Sequence, residues 1–174
     1  MSPFFALKSI NRIAPGNMLD VGTRDGRIAA QFVEAGYSVD AIDPCAPPEG
    51  AELEGINFQQ SKLENFSPSK TYDLVVASMV SQFVSYSIPD FIGRLKDLTA
   101  PEGLIYVTLL GDEDEWAGNP MAKAGTFSAA EKIIADHELV AITKSIDWIQ
   151  GFLYSGEPKF WHRFTFVLSH QGTS

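Results

Sequence analysis

The chain has 174 residues, of which 45% are hydrophobic and 20% charged, so we expect one globular domain rather than a disordered or fibrous chain. Its 13 Lys and Arg against 22 Asp and Glu give a net charge of −9, which disfavours nucleic acid and anionic lipid as partners. A single cysteine, Cys45, excludes an internal disulfide and a thiolate metal cluster, and the three histidines lack the spacing of a zinc helix, so no metal is expected.

The first half of the chain alternates strand and helix patterns. Met18–Val21 and Val39–Ile42 predict buried parallel strands, and an apolar stripe predicts a helix over Arg27–Ala35 between them. Pro44–Gly50 contains three prolines, which exclude a regular helix, so the next crossover is expected to be a loop. Residues 1–16 are expected to be a short lead-in to a single domain that spans residues 1–174.

The second half continues the alternation. Pro101–Gly103 predicts a turn, and Ser128 with Glu131 predicts a capping box that begins a helix ending near His137. The other predicted elements are strands at Ile56–Gln59, Tyr72–Ala77, Leu104–Leu110, Leu139–Ile146 and Phe160–Leu168, and a helix from Pro89 to about Leu98. This order predicts an α/β fold, with a mostly parallel sheet, helices on both faces and an antiparallel last strand.

The apolar runs are short. The most apolar, Leu74–Val80 and Leu104–Leu110, fall far below the roughly 20 residues that a helical membrane span needs. The first twelve residues lack the basic start, long apolar stretch and cleavage site of a signal peptide. We therefore expect a cytoplasmic protein without a membrane partner, either a monomer or a homodimer.

The first strand-to-helix turn, Leu19–Arg27, is a candidate ligand site, because ligands of open α/β sheets bind at the carboxyl ends of the strands. Gly22 and Gly26 let the backbone approach a ligand and leave amide groups free at a helix N-terminus. Asp43 ends the second strand, 21 residues after Gly22, where a carboxylate can accept hydrogen bonds from both ribose hydroxyls of a nucleoside.

Two ligand classes fit this turn to different degrees. A dinucleotide fold needs glycines at positions 22, 24 and 27, and only Gly22 matches, which disfavours a nicotinamide-dependent reductase. The S-adenosylmethionine version has an acid two residues before the first glycine and then alternate glycines, and Asp20, Gly22 and Gly26 match three of four positions. A carboxylate at Asp20 also suits a ligand with an ammonium group, whereas it would repel a pyrophosphate.

At these residues the chain resembles the class I S-adenosylmethionine-dependent methyltransferases. The segments that look like the successive motifs of that superfamily are Leu19–Arg27, Val39–Pro44, Tyr72–Val84 and Ala100–Leu110. Tyr72–Phe83 and the last strand are similar to the tellurite-resistance type branch. The resemblance covers about residues 17–170. It implies a Rossmann-like sheet of seven strands, with S-adenosylmethionine held over the ends of the first, second and fourth.

The resemblance also implies a role for particular residues. Asp20 and the loop to Gly26 would hold the methionine end of the cofactor, Asp43 its ribose, and Lys62 with Leu63 would lie at the adenine. The full implied set is Asp20, Gly22, Thr23, Arg24, Gly26, Asp43, Pro44, Lys62, Leu63, Ala77, Ser78 and Met79. Methyl transfer can proceed by alignment and desolvation, so no catalytic residue is assigned. A core with no appended substrate domain predicts a small-molecule acceptor.

Two positions depart from the family pattern. Arg24 replaces the middle glycine of the loop, and Lys62 stands where the family usually has an acid that accepts from the adenine amino group. A lysine ammonium only donates, so it cannot replace that acceptor, and adenine recognition would then depend on backbone near Leu63 or on Glu64. The alternative is therefore a noncatalytic binding or regulatory module of the same fold, which an Arg24 side chain packed into the cofactor cleft would favour.

The remaining candidates have weaker signals. The acidic run Asp112–Glu115, in a long connection after the fifth strand, is expected to be either a solvated loop or a substrate lid anchored by Trp116. Cys45 has no adjacent histidine to act as a base, so it is not expected to be a nucleophile.

Overall fold

The computed structural model describes residues 2–153 and 155–172. In chain order its helices and strands are α1 (Pro3–Ser9), β1 (Asn17–Val21), α2 (Arg27–Glu34), β2 (Ser38–Asp43), β3 (Ile56–Gln60), β4 (Tyr72–Ala77), α3 (Ile88–Leu98), β5 (Thr99–Leu110), α4 (Phe127–Asp136), β6 (Leu139–Phe152) and β7 (Pro158–His170). Short 3₁₀ turns lie at Leu63–Asn65 and Pro120–Ala122.

The seven strands form one sheet in the order β3-β2-β1-β4-β5-β7-β6. The pairs from β3 to β5 are parallel, whereas β7 is antiparallel to both β5 and β6. The strand order therefore reverses between β1 and β4. The strands β2 and β3 lie on one side of this point, and β5 to β7 lie on the other. The predicted α/β fold with a reversed last strand is confirmed.

Helices cover both faces of the sheet, as predicted. Side chains alternate across β1, so Met18 packs with Leu7 of α1 and Phe32 of α2, whereas Leu19 joins the core beneath α3 and α4. The aromatic rings of Phe4 and Phe32 meet edge to face at 5.3 Å, which holds α1 against α2.

The crossover from β2 to β3 contains no α-helix, as its prolines predict, and the connection from β3 to β4 contains only a 3₁₀ turn. The sheet face over β2 and β3 is left with a cavity of about 200 Å³. Polar side chains line this cavity. Asp40 accepts hydrogen bonds from the Tyr72 hydroxyl at 2.8 Å and from the Asn57 side-chain amide at 3.0 Å, and it pairs with Lys70 at 3.0 Å. Burial, together with the Asp40 charge, raises the pKa of Tyr72.

Residues 1–16 contain a helix, since α1 begins after its N-cap Ser2 and buries Leu7. The expected capping box of α4 is wrong. The N-cap of α4 is Thr126 rather than Ser128, because Thr126 Oγ1 accepts from the amide of Ala129 at 3.2 Å. Glu131 consequently serves no capping box and lies 2.5 Å from Lys144 of β6.

The Pro101–Gly103 segment is part of β5 and not a separate turn. Tyr72 pairs with Thr99 and Leu74 pairs with Leu104, so the register between β4 and β5 shifts at this segment. The shift is an irregularity within the strand pair and does not end β5. The last two strands are also longer than their apolar runs predict. Pairing continues to Phe152 and Pro158, because both strands extend past the body of the sheet as a ribbon.

Among the described residues, the longest helix has 11 residues, and none is long and apolar enough to cross a membrane.

Candidate functional site

The turn after β1 is tied to the neighbouring strand by backbone hydrogen bonds. The amides of Gly22 and Thr23 both donate to the carbonyl of Ile42, at 2.8 and 3.1 Å. Gly22 and Gly26 have φ of 75° and 79°, which glycine adopts without strain. The turn therefore lies directly beside the carboxyl end of β2.

Both glycines are also required by close packing. A Cβ at Gly22 would lie 2.2 Å from Val80 Cγ2, and one at Gly26 would lie 2.2 Å from the carbonyl oxygen of Glu52. The Glu52 amide in turn donates to the Asp25 carbonyl at 2.7 Å, so the proline-rich crossover clasps the turn. These contacts explain the glycines without a ligand, and their presence alone does not identify a cofactor site.

Asp20 is the unusual group at this edge. Its side chain is 2% exposed, and its Oδ2 has no hydrogen-bond partner among the described residues. Burial raises the pKa of Asp20 to about 7; the Thr23 side chain opposes this shift, and the charges of Asp43 and Asp25 add to it. A buried carboxylate oxygen without a donor fits a ligand that brings an ammonium group.

Asp43 ends β2 beside this turn. Its Oδ2 accepts from the Arg24 amide at 3.1 Å and its Oδ1 from the Cys45 amide at 2.8 Å. Each carboxylate oxygen can accept a further bond, so the side chain is held in place while it still offers acceptors to a ligand's hydroxyls. Pro44, which follows, is exposed.

Arg24 occupies the left-handed conformation that a glycine would take at the middle of the loop, with φ of 50°. Its side chain is exposed. The packed Arg24 that would favour a noncatalytic module is therefore not what the structure contains.

The segment after β3 approaches the same edge. The Ser61 amide donates to the Asp43 carbonyl at 2.9 Å, and a 3₁₀ turn follows in which Leu63 is buried and Lys62 exposed. Glu64 Oε1 accepts from the amide of Ser85 at 2.5 Å, which links this segment to the loop after β4. Glu64 is thus already bonded to backbone.

The loop after β4 completes the edge. Ala77 is buried, whereas Ser78 and Met79 are partly exposed, and Met79 has a left-handed φ of 58°. The side-chain amide of Gln82 donates to the Met79 carbonyl at 2.9 Å, and Gln82 and Ser81 are both buried. The N-cap of α3 is Ser87. A non-glycine residue in this conformation is a strained point of the kind that gathers at functional sites.

The acidic run after β5 is exposed at Asp112, Glu113 and Glu115 but anchored at Asp114. Asp114 is completely buried and lies 2.5 Å from the equally buried Lys159 of β7. It also accepts from the amides of Trp116 at 2.9 Å and His162 at 3.1 Å. Sequence patterns missed this pair, because its members are 45 residues apart and Lys159 has no local signature.

A metal centre is not supported here. Asp112, Glu113 and His162 bring ligand atoms within 4.8 Å of one another. However, His162 Nδ1 already accepts a hydrogen bond from the Glu113 amide at 3.0 Å, and the two carboxylates are exposed. The group is accounted for as a loop anchor.

With this geometry in place, the chain can be compared with known proteins. Residues 4–151 match the family model described as "Methyltransferase domain". The chain therefore belongs to that family and to the class I S-adenosylmethionine-dependent methyltransferases.

A curated relative is the ubiquinone biosynthesis O-methyltransferase of Rhodopseudomonas palustris (strain BisB5), which is 30% identical over 110 residues. The match covers 59% of this chain and 43% of that protein, so the chain spans less than half of the relative.

Two solved structures share the fold. TehB from Haemophilus influenzae gives a TM-score of 0.73 at 16% identity, covering 97% of this chain and 62% of TehB. The 1,6-didemethyltoxoflavin-N1-methyltransferase of Burkholderia thailandensis, which contains bound 1,6-didemethyltoxoflavin and S-adenosylhomocysteine, gives 0.70 at 15% identity, covering 97% of this chain and 76% of that protein. The resemblance stated from the sequence is confirmed for the superfamily.

Proposed function

We propose that this chain binds S-adenosylmethionine at the carboxyl edge of β1, β2 and β4 and transfers its methyl group to a small-molecule acceptor. The observation that carries the proposal is Asp20, a buried carboxylate whose Oδ2 has no donor partner within the described residues. A fold stabilised only by its own contacts has no use for such a group, whereas a ligand's ammonium would satisfy it.

The neighbouring residues fit the rest of the cofactor. The Gly22–Gly26 turn offers backbone at close approach, and Asp43, held by two amides, offers acceptors to the ribose hydroxyls. Leu63 and the backbone around it are placed to flank the adenine, with Lys62 turned to solvent. Ala77, Ser78 and Met79 would lie near the methyl group.

The reaction needs little from side chains beyond placement. S-adenosylmethionine supplies a methyl group on a positively charged sulfur. The acceptor's nucleophilic atom forms a bond to the methyl carbon in line with the breaking carbon–sulfur bond, whose electron pair stays on sulfur, and the acceptor's proton leaves to solvent. Alignment and exclusion of water can supply most of the rate enhancement. The name of the curated relative supports a hydroxyl group as the nucleophile.

Calorimetric titration with S-adenosylmethionine tests the proposal. We expect binding, and we expect Asp43→Ala to weaken it by about 1–3 kcal/mol, because charge-assisted hydrogen bonds to the ribose are lost. Asp136→Ala is the matched control, since that carboxylate lies on the surface of α4 in a pair with Lys132 and should leave the affinity unchanged. Absence of heat at millimolar cofactor would refute the proposal.

A further inference from the structure

Beside the proposed cofactor residues lies a group of aromatic rings, here called the aromatic surface, formed by Phe83, Trp116 and Trp161. The ring centroids of Phe83 and Trp116 are 6.5 Å apart, and those of Trp116 and Trp161 are 5.6 Å apart, both edge to face. Phe83 is 73% exposed, although a phenyl ring of this size is usually covered.

The aromatic surface is continuous with the proposed cofactor residues. The Phe83 amide donates to the carbonyl of Val80 at 2.8 Å, and Val80 is the residue that packs on Gly22. Lys123, from the segment after β5, donates to the carbonyls of Ser81 at 3.3 Å and Val84 at 2.7 Å. The loops after β4 and β5 are therefore joined, and Phe83 stands at their junction.

Buried charge fixes this surface in place. The Lys159 ammonium lies 4.5 Å from the ring centroid of Trp116 and 3.9 Å from that of Trp161, and it pairs with Asp114. Lys159 is 1% exposed, so its ammonium group interacts with Asp114 and the two rings and does not contact a ligand in solvent.

Carboxylates outnumber ammonium groups next to the aromatic surface, and the half-buried Lys123 ammonium is engaged by the carbonyls of Ser81, Val84 and Met121. Asp112, Glu113 and Glu115 are all exposed on the loop that carries Trp116. Their carboxylates are oriented by neighbours, since Glu115 accepts from the amide of Phe160 at 2.8 Å and Glu113 from the Trp148 indole at 3.3 Å. An anionic ligand would be repelled here, whereas an uncharged aromatic ring would stack without penalty.

We propose that the aromatic surface, with Phe83 at its exposed end, binds the methyl acceptor, and that the acceptor is an aromatic molecule that carries no negative charge. This rests on the proposed function, because only a site next to the cofactor's methyl group makes this surface an acceptor site.

The test uses two probes that differ by one negative charge and one ester methyl group, methyl 3,4-dihydroxybenzoate and 3,4-dihydroxybenzoate. Each is titrated by ligand-observed NMR into the protein saturated with S-adenosylhomocysteine. We expect the uncharged ester to bind at least 10-fold more tightly than the carboxylate. Phe83→Ala should weaken the ester at least 5-fold without changing the affinity for S-adenosylhomocysteine. Phe5→Ala, which removes a ring that is 66% exposed on α1, should change neither.

Several results would overturn the inference. These are no binding of the ester at 5 mM in protein that binds S-adenosylhomocysteine, equal affinity for both probes, or no effect of Phe83→Ala. A dimer that Phe83→Ala converts to monomer in sedimentation would also overturn it, because the surface would then belong to a second copy. Failure to bind S-adenosylhomocysteine would instead remove the proposed function, and this inference with it.

Discussion

Asp20 connects ligand binding to the stability of the fold at the level of one residue. Burial raises the pKa of Asp20 from an ordinary 3.8 to about 7. Between these two values the folded chain keeps a proton that the unfolded chain has lost. The free energy of unfolding therefore decreases as pH rises through this window, and the loss is complete above pH 7. A ligand ammonium would reverse this by stabilising the charged carboxylate.

The variant Asp20→Asn tests whether the Asp20 charge destabilises the cofactor-free fold and is needed to bind the cofactor. At pH 8 we expect the cofactor-free variant to be more stable than the wild type by about 2 kcal/mol, because an uncompensated buried charge is removed. The advantage should shrink as pH falls and vanish near pH 4. Urea unfolding between pH 4 and 8.5 measures the difference, and titration of the same variant should show affinity for S-adenosylmethionine lowered at least 10-fold. A stability difference that is flat with pH would contradict this assignment.

At the scale of elements, the Lys159–Asp114 pair joins β7 to the loop after β5. Lys159→Met leaves Asp114 buried without its cation, and we expect a loss of about 3–5 kcal/mol in the free energy of unfolding. Lys132→Met provides the matched control, because Lys132 and Asp136 form a surface pair on α4 with side chains 72% and 60% exposed. Its effect should stay below about 0.5 kcal/mol.

Urea denaturation at pH 7 compares the two lysine variants. The double variant Lys159→Met with Asp114→Asn should recover part of the loss, since the unpaired charge is gone. The recovery is partial because an asparagine has one acceptor oxygen and keeps only one of the amide contacts to Trp116 and His162. Equal effects of the buried and surface variants would mean that the pair contributes nothing to the anchoring of the loop.

The same pair shows where sequence patterns stop being informative. Apolar periodicity predicts the strands and α2 and α3, because each element has to bury one face against the sheet. The short helix α1 and the cap at Thr126 were missed, because a seven-residue helix has little periodicity and either of two nearby hydroxyls can cap. The contact between Asp114 and Lys159 depends on the pairing of β5 with β7. These two strands are far apart in the sequence and meet only in the folded chain.

Sequence patterns likewise predict only part of the arrangement of the candidate site. Asp20, Gly22, Gly26 and Asp43 could be read from the sequence, because a turn between parallel strands places them at fixed spacing. The engagement of Glu64 with the Ser85 backbone could not, and neither could the outward position of Arg24. Both follow from the segments that surround the turn, not from the turn itself.

At the scale of the whole molecule, the net charge of −9 and the acidic edge beside the aromatic surface act together. Polyanions approaching the aromatic surface meet exposed carboxylates, whereas Lys159 behind it is paired with Asp114 in the interior. The exposed carboxylates should repel RNA or DNA within about 10 Å, the screening length in 0.1 M salt, but should not repel a small uncharged acceptor.

We therefore expect no association with nucleic acid even under conditions that favour it. Fluorescence anisotropy of a labelled 30-nucleotide RNA and of a duplex DNA, in 20 mM NaCl with protein up to 50 µM, should stay at the value of the free probe. Nonspecific binding depends on neutralised phosphates, and a chain with an excess of nine acids offers few. A rise in anisotropy that weakens steeply with added salt would show a basic contact surface in this chain. It would also mean that the acidic edge does not exclude nucleic acid.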